Sequence, residues 1–248
     1  MSENLKKMGI VGILGGMGPL ATVDFMFKVI AHTPAKQDQD HIPVLVSSIP
    51  QVPDRTLAFR GEGYSPLSAM LENAKRLAVA GADGVVITCN TAHLWFDEIQ
   101  KSINLPMIHI VDAAIEKAIE KVGANPVLGL LATDATLASG LYINRKVKNL
   151  SGERIQVRWL LPTAVEVNEF VMPGILAVKA GKIEEGQELL IRAGNCLKQR
   201  GANALVLGCT EIPIALAGES LGIPLIDATD ALAEKAVAWS RCYGIRNE

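Results

Sequence analysis

The stretch GADGVVITC at residues 81–89 recurs in the second half of the chain as GANALVLGC at residues 201–209. Both copies place a short apolar run before a cysteine, with one residue between them. Short continuous apolar runs are typical of strands that a parallel sheet buries on both faces. The recurrence predicts that Cys89 and Cys209 occupy equivalent places in two similar halves of the protein.

The repeat extends outward from these stretches. Upstream, VGIL at residues 11–14 is echoed by LGLL at residues 128–131, and downstream LPMI at 105–108 is echoed by IPLI at 223–226. Apolar runs alternate with longer helical patterns, which indicates the α/β class. We therefore expect two similar lobes, each a parallel sheet flanked by helices, related by a pseudo-twofold axis.

The expected domain limits follow from this repeat. The first lobe spans residues 1–115 and the second spans 116–217, while a C-terminal helical segment, 218–248, packs back on the first lobe. Ligands of open parallel sheets bind beyond the carboxyl ends of the strands. Both cysteines are predicted to lie at such an end.

Composition restricts the partners of the chain. Its 248 residues carry a formal net charge of -2, and the Lys and Arg residues are scattered, so no basic face is available for nucleic acid. The apolar run from Met8 to Leu14 is too short to span a membrane. We expect a cytoplasmic protein with a small-molecule partner, no membrane contact and reduced thiols, because the four cysteines lack the spacing of a disulfide scaffold.

The loop GGMGP at residues 15–19 partly fits the dinucleotide-binding pattern. That pattern also needs an acidic residue at the end of the second strand, which is missing, and Pro19 removes one backbone donor. A tight loop that approaches a small ligand is favoured, and a glycine turn without a ligand remains open.

A cysteine at a strand end is more often a small buried hydrophobe than a catalyst. The repeat favours catalysis for Cys89 and Cys209, since independent structural cysteines need not obey it. Zinc bound by these thiols and His93 would lack a fourth ligand, so no metal is predicted. We expect His93 to lie beside Cys89. Arg55 follows the second strand and could pair with a carboxylate, although a solvated arginine is the alternative.

Taken together, GGMGP, PDRT at residues 53–56, CNTAH at 89–93, LAT at 131–133 and GCTE at 208–211 resemble the aspartate/glutamate racemase superfamily, and within it the aspartate racemase branch. The resemblance implies an isomerase that interconverts L- and D-aspartate, or glutamate, in a cleft between two α/β domains. It implies Cys89 and Cys209 as the catalytic pair, with neither pyridoxal phosphate nor a metal.

By the same resemblance, Arg55 and Lys179 hold the distal carboxylate of the substrate. Further residues match positions that line the site: Met17, Gln51, Asn90, Thr91, Thr133, Thr136 and Thr210. Glutamate racemases carry a histidine where this chain has Glu211, which argues against a role in supplying glutamate to the cell wall. Leu176 replaces a tyrosine of some aspartate racemases, which leaves the preferred side chain open.

Other functions remain open at this point. They are a broad-specificity amino-acid racemase, a hydantoin racemase, a maleate isomerase, an arylmalonate decarboxylase and a non-catalytic amino-acid-binding protein. Arg55 and Lys179 disfavour an aryl substrate, and binding alone gives no reason for paired thiols. A homodimer is among the assemblies that remain open, and no feature of the sequence decides the oligomeric state.

Overall fold

The computed structural model describes residues 8–147 and 155–246. The chain divides into two compact units, one formed by the residues up to Ile110 together with those from Thr229, and the other by Val111–Ala228. The strands are β1 (Val11–Gly15), β2 (Val44–Ser48), β3 (Gly84–Ile87), β4 (Met107–Ile108), β5 (Val127–Leu131), β6 (Arg158–Leu160), β7 (Ala204–Leu207) and β8 (Leu225–Asp227).

The α-helices alternate with these strands. They are α1 (Pro19–His32), α2 (Arg55–Arg60), α3 (Leu67–Val79), α4 (Phe96–Ser102), α5 (Ile110–Val122), α6 (Asp134–Ala138), α7 (Ala164–Glu166), α8 (Met172–Lys179), α9 (Ile183–Gln199), α10 (Ile212–Ala215), α11 (Ala228–Arg241) and α12 (Tyr243–Arg246). A 3₁₀ turn, Thr91–Trp95, precedes α4, and a π-helical turn, Val167–Val171, joins α7 to α8.

Each unit contains one parallel four-stranded sheet, and the two sheets share one topology. The strand order is β2-β1-β3-β4 in the first unit and β6-β5-β7-β8 in the second. The central strands are fully buried, as their apolar runs predict, because helices cover both faces of such sheets. The predicted α/β class and the internal repeat are confirmed.

The parallel register brings the carboxyl ends of neighbouring strands to one edge of each sheet. Leu14 of β1 pairs with Ile87 of β3 in the first unit, and Leu131 of β5 pairs with Leu207 of β7 in the second. Segments that follow these strands therefore share an edge with the cysteine that follows β3 or β7.

Gly16 allows the loop after β1 to lie directly against the end of β2. Its φ is +87°, and a Cβ atom at this position would lie 2.3 Å from the backbone nitrogen of Ile49. No side chain could occupy that space. The glycine loop thus has a packing role in this unit, which is independent of any contact that it makes with a ligand.

The observed boundary of the second unit differs from the sequence-based limits. Residues 218–228 were expected with the C-terminal helix on the first lobe, but this segment contains β8, which pairs with β7 in the second sheet. Residues 111–115, expected in the first lobe, belong to the second unit as part of α5. Strand pairing and helix packing, rather than the length of the repeat, set these limits.

Within the described residues, no helix combines the length and the apolar character that crossing a membrane requires.

Candidate active site

The thiol of the first unit follows β3 by two residues and begins a tight turn. Cys89 is buried and belongs to the same apolar cluster as Met17, which follows β1. Asn90 and Thr91 come next and are also buried. The first unit therefore gathers four of the sequence-predicted residues at the carboxyl edge of its sheet.

His93 holds the backbone of this turn in place. Its Nδ1 lies 2.8 Å from the carbonyl oxygen of Cys89, and its Nε2 accepts a hydrogen bond from the backbone N–H of Ile110 at 3.2 Å. Because a carbonyl only accepts and an N–H only donates, these contacts select the neutral ring with its proton on Nδ1. His93 therefore contacts the backbone of Cys89 and positions it.

Arg55 lies at the start of α2, where the Asp54 side chain caps the helix by accepting hydrogen bonds from two backbone N–H groups. Its Nη1 donates to the carbonyls of Val52 and Pro53 at 3.1 and 3.0 Å. Its Nε is buried, and no acceptor for it occurs in the part of the chain that the structure describes. A buried charged donor of this kind is costly, so an anionic ligand is its natural complement.

The helix of Arg55 lies next to the turn that follows Cys89, since α2 contacts Thr91–Trp95. Gln51, in the preceding loop, is exposed. The helix that carries Arg55 therefore lies beside the turn that begins at Thr91, within the first unit.

The thiol of the second unit has a different neighbour. Cys209 donates a hydrogen bond from Sγ to Oε2 of Glu211 at 3.0 Å, and the Thr210 hydroxyl lies 3.3 Å from the same oxygen. All three side chains are buried. Burial raises the pKa of the Cys209 thiol well above its usual range, the negative charge of Glu211 raises it further, and Lys179 acts in the opposite direction.

The second unit contains three other sequence-predicted residues, which are Lys179, Thr133 and Thr136. Lys179, exposed at the end of α8, is close enough for its charge to act on Cys209. Thr133 caps α6 after β5, and its hydroxyl donates to that of Thr136 at 3.0 Å; both are buried. Since β5 and β7 are neighbours, these hydroxyls and Cys209 share the carboxyl edge of the second sheet.

Two polar residues of this unit were not among the predicted site residues. Glu211 entered the sequence reasoning only as a departure from glutamate racemases, although its place two residues after Cys209 is the signal that could have found it. Tyr142 is fully buried, and its pKa is raised by burial and then by the charges of Cys209 and Asp227. It stands in a loop after α6 with no motif around it, so the sequence carries no signal for it.

The remaining cysteines differ from this pair. Cys196 is half-buried in α9 and Cys242 is exposed after α11, and all four cysteines are free thiols. Across residues 8–147 and 155–246, no group of three or more His, Cys, Asp or Glu side chains is arranged to hold a metal ion.

Comparison with known proteins identifies relatives along nearly the whole chain. The broad-specificity amino-acid racemase RacX of Bacillus subtilis is 28% identical over 242 residues, covering 94% of this chain and 99% of its own. The aspartate racemase of Picrophilus torridus superposes with a TM-score of 0.80 at 32% identity and 94% coverage of both chains. An aspartate racemase homologue from Pyrococcus horikoshii gives 0.71 at 25% identity, covering 94% of this chain and 99% of its own.

The sequence profile of the Asp/Glu/hydantoin racemase family matches residues 14–236, a span that contains both buried thiols and all the residues gathered around them. With its fold, its repeat and its full-length relatives in agreement, the chain belongs to the Asp/Glu/hydantoin racemase family and is an isomerase.

Proposed function

We propose that this protein interconverts the L- and D-enantiomers of a small acidic amino acid, aspartate before glutamate, by proton transfer between Cys89 and Cys209 without a cofactor. One observation carries the proposal. Each unit has the same strand order and places a buried cysteine two residues beyond its third strand in sequence order. A duplicated thiol is what a reaction with two opposite proton transfers requires.

The chemistry needs one base and one acid. A thiolate takes the α-proton, the electron pair remains on the α-carbon and its carboxylate, and the other thiol delivers its proton to the opposite face. The product is the mirror image of the substrate, and the two cysteines have exchanged protonation states. Buried amide and hydroxyl groups next to the thiols, on Asn90, Thr91 and Thr210, suit the stabilisation of the transient negative charge.

The environment of Cys209 distinguishes the roles of the two thiols in proton transfer. Its hydrogen bond to the Glu211 carboxylate and its burial stabilise the protonated thiol. We infer that Cys209 acts as the acid in the direction in which Cys89 acts as the base. The equivalent position in the first unit is Thr91, a neutral residue. The two half-sites thus differ in charge although their folds match.

The substrate class follows from the cations. The buried Nε of Arg55 has no hydrogen-bond acceptor among the described residues. Lys179 places a positive charge close enough to act on Cys209. A dicarboxylic amino acid offers two anionic groups, and a guanidinium binds one of them with paired hydrogen bonds. A neutral amino acid such as alanine would leave the Arg55 donor unsatisfied.

The experiment follows α-proton exchange in deuterated water with single enantiomers of aspartate, glutamate, alanine and homoserine. We expect exchange and racemisation of aspartate in both directions, and loss of racemisation in Cys89→Ser and in Cys209→Ser. Cys196→Ser is the matched control, because this thiol has no partner in the repeat and should leave the rate unchanged. A folded Cys89 or Cys209 variant that racemises at the wild-type rate contradicts the two-thiol mechanism.

The same preparation tests cofactor independence. We expect full activity after treatment with a chelator and no visible absorption band from pyridoxal phosphate. Activity that is lost to the chelator and restored by a metal ion contradicts this part of the proposal.

A broad-specificity amino-acid racemase is the second candidate, favoured by the full-length similarity to RacX. Leu176, on the same helix as Lys179, is exposed and stands where some aspartate racemases have a tyrosine. Comparable specificity constants for alanine and aspartate would support this candidate over the first.

A further inference from the structure

The carbonyl oxygen of each cysteine of the repeat accepts a hydrogen bond, but the two units supply the donor differently. In the second unit the backbone N–H of Ile212 donates to the Cys209 carbonyl at 3.0 Å. In the first unit Nδ1 of the His93 ring donates to the Cys89 carbonyl at 2.8 Å. The repeat sets Pro213 at the position of His93, and proline has no such donor. The two units therefore hold the equivalent peptide by different means.

The His93 ring is held on several sides. It stacks on Phe96 at an interplanar angle of 11°, with ring centroids 5.6 Å apart, and its centroid lies 4.6 Å from that of His109. All three rings are buried. Nε2 of His93 accepts the backbone N–H of Ile110, the first residue of α5. The ring cannot turn without breaking both hydrogen bonds, so Nδ1 stays directed at the Cys89 carbonyl.

His93 itself is unsuited to proton transfer with a substrate. One ring nitrogen donates to a carbonyl and the other accepts from a backbone N–H, so main-chain groups occupy both. A second proton on the ring would place a donor opposite the N–H of Ile110 and would put a charge in a buried site. Any contribution of His93 to the reaction therefore has to act through the backbone of Cys89.

The hydrogen bond from His93 fixes the peptide between Cys89 and Asn90. This peptide is trans and planar, so its N–H points away from the carbonyl and from His93. Rotation of the plane would break the bond to Nδ1. The plane also includes the Cα atom of Cys89, from which the thiol projects. The hydrogen bond therefore restrains both the base of the thiol side chain and the adjacent N–H of Asn90.

We propose that His93 is a positioning residue for racemisation, which holds the peptide between Cys89 and Asn90 in the orientation that proton transfer by Cys89 requires. The proposal rests on the proposed function, in which Cys89 exchanges the α-proton. A displacement of about 1 Å at a reacting group can lower a rate about hundredfold. Since Arg55 and Lys179 are the proposed anchors of the substrate, the loss falls on kcat and not on KM.

Two substitutions of His93 separate its two hydrogen bonds. The amide nitrogen in His93→Asn lies near the place of Nδ1 and can donate to the Cys89 carbonyl. The longer side chain in His93→Gln reaches the place of Nε2 and can accept from the N–H of Ile110. We expect His93→Gln to lower kcat for aspartate about ten- to hundredfold with KM unchanged, and His93→Asn, the matched control, to keep most of the wild-type kcat. His93→Phe keeps a ring stacked on Phe96 and should lose kcat as His93→Gln does.

NMR of the nitrogen-labelled protein gives a readout that needs no substrate. The side-chain nitrogens of His93 should show a neutral ring with its proton on Nδ1. The backbone amide signal of Asn90 should shift in His93→Gln and in His93→Phe, because the peptide plane is released. The same signal should stay near its wild-type position in His93→Asn, where the donor to the Cys89 carbonyl is restored.

Circular dichroism shows whether each variant is folded. Equal losses of kcat in folded His93→Asn and His93→Gln variants, or no loss in His93→Gln, would overturn the proposal. A wild-type His93 ring with its proton on Nε2, or an Asn90 signal that moves equally in both variants, would overturn it as well. A wild-type chain that leaves both enantiomers of aspartate unchanged would instead contradict the proposed function, and the NMR result would still decide whether His93 holds the peptide.

Discussion

Replacing Glu211 by glutamine tests the electrostatic asymmetry between the two thiols. The amide keeps the size and shape of the carboxylate and removes its negative charge 3.0 Å from the Cys209 sulfur. Burial of the thiol is unchanged, whereas the charge of residue 211 is lost and its hydrogen bond to the thiol now involves a neutral amide oxygen. The pKa of the Cys209 thiol should therefore fall.

The distance sets the size of the effect. Two unit charges 3.0 Å apart repel by about 5 kcal/mol at an effective dielectric constant near 20. This repulsion opposes ionisation of Cys209 when Glu211 is charged, and Lys179 offsets part of it. Even a quarter of that energy would change the ratio of thiolate to thiol about tenfold at a given pH.

The primary assay is the pH dependence of kcat/KM with one enantiomer of aspartate. Activity requires Cys209 to be protonated in the direction in which it acts as the acid, so it is lost as the pH rises through the pKa of this thiol. Because Glu211→Gln lowers that pKa, the basic limb of the profile should move to lower pH. Titration of the ultraviolet thiolate absorbance, taken as the difference between chains with and without Cys209, gives the same pKa directly.

The matched control is Glu219→Gln, which removes the same charge from an exposed position after α10 and should leave the profile unchanged. A basic limb that stays in place in a folded Glu211→Gln variant, or that moves to higher pH, would refute the role of Cys209 as the acid in this direction. An equal shift in the Glu219 variant would attribute the effect to the net charge of the chain.

Two further predictions concern binding and stability. If the guanidinium holds a desolvated carboxylate, Arg55→Ala should lower kcat/KM for aspartate by the equivalent of about 2–5 kcal/mol. The control is Arg60→Ala, at the exposed end of α2, which should leave kcat/KM unchanged. Equal effects of the two substitutions would contradict the binding role of Arg55. Gly61→Ala should cost about 1–2 kcal/mol of unfolding free energy through its positive φ alone, and Gly16→Ala should cost about 1–3 kcal/mol more because its Cβ would meet Ile49, as measured by chemical denaturation. Equal losses of unfolding free energy in the two variants would show that the backbone moves to relieve the contact with Ile49 at no cost in stability.

The fold was largely predictable because strands buried in a parallel sheet appear in the sequence as short continuous apolar runs. The apolar runs at residues 127–131 and 204–207 coincide with β5 and β7, and the repeat around Cys89 and Cys209 matches the shared strand order of the two sheets. The boundary near Ala228 was not predictable in this way, because β8 is a three-residue strand whose membership depends on pairing with β7.

The candidate site was predictable in part for the same reason. Residues that follow strands, such as Cys89, Asn90 and Thr133, lie at a sheet edge that the register of the strands dictates. Arg55 could be placed in the loop after β2, but its buried and unsatisfied Nε depends on how α2 lies against the neighbouring turn.

The sequence by itself determined the class of the fold, the internal duplication and the position of each thiol at a strand end. Hydrophobic periodicity and repeated spacing are visible in the order of the residues and need no knowledge of tertiary contacts. Only the tertiary structure decided that Glu211 turns its carboxylate onto the Cys209 sulfur and that Tyr142 is buried within range of the same thiol. It also decided that His93 bonds the carbonyl of Cys89. Rotamers and long-range contacts set these relations, and a pattern of residue types does not encode them.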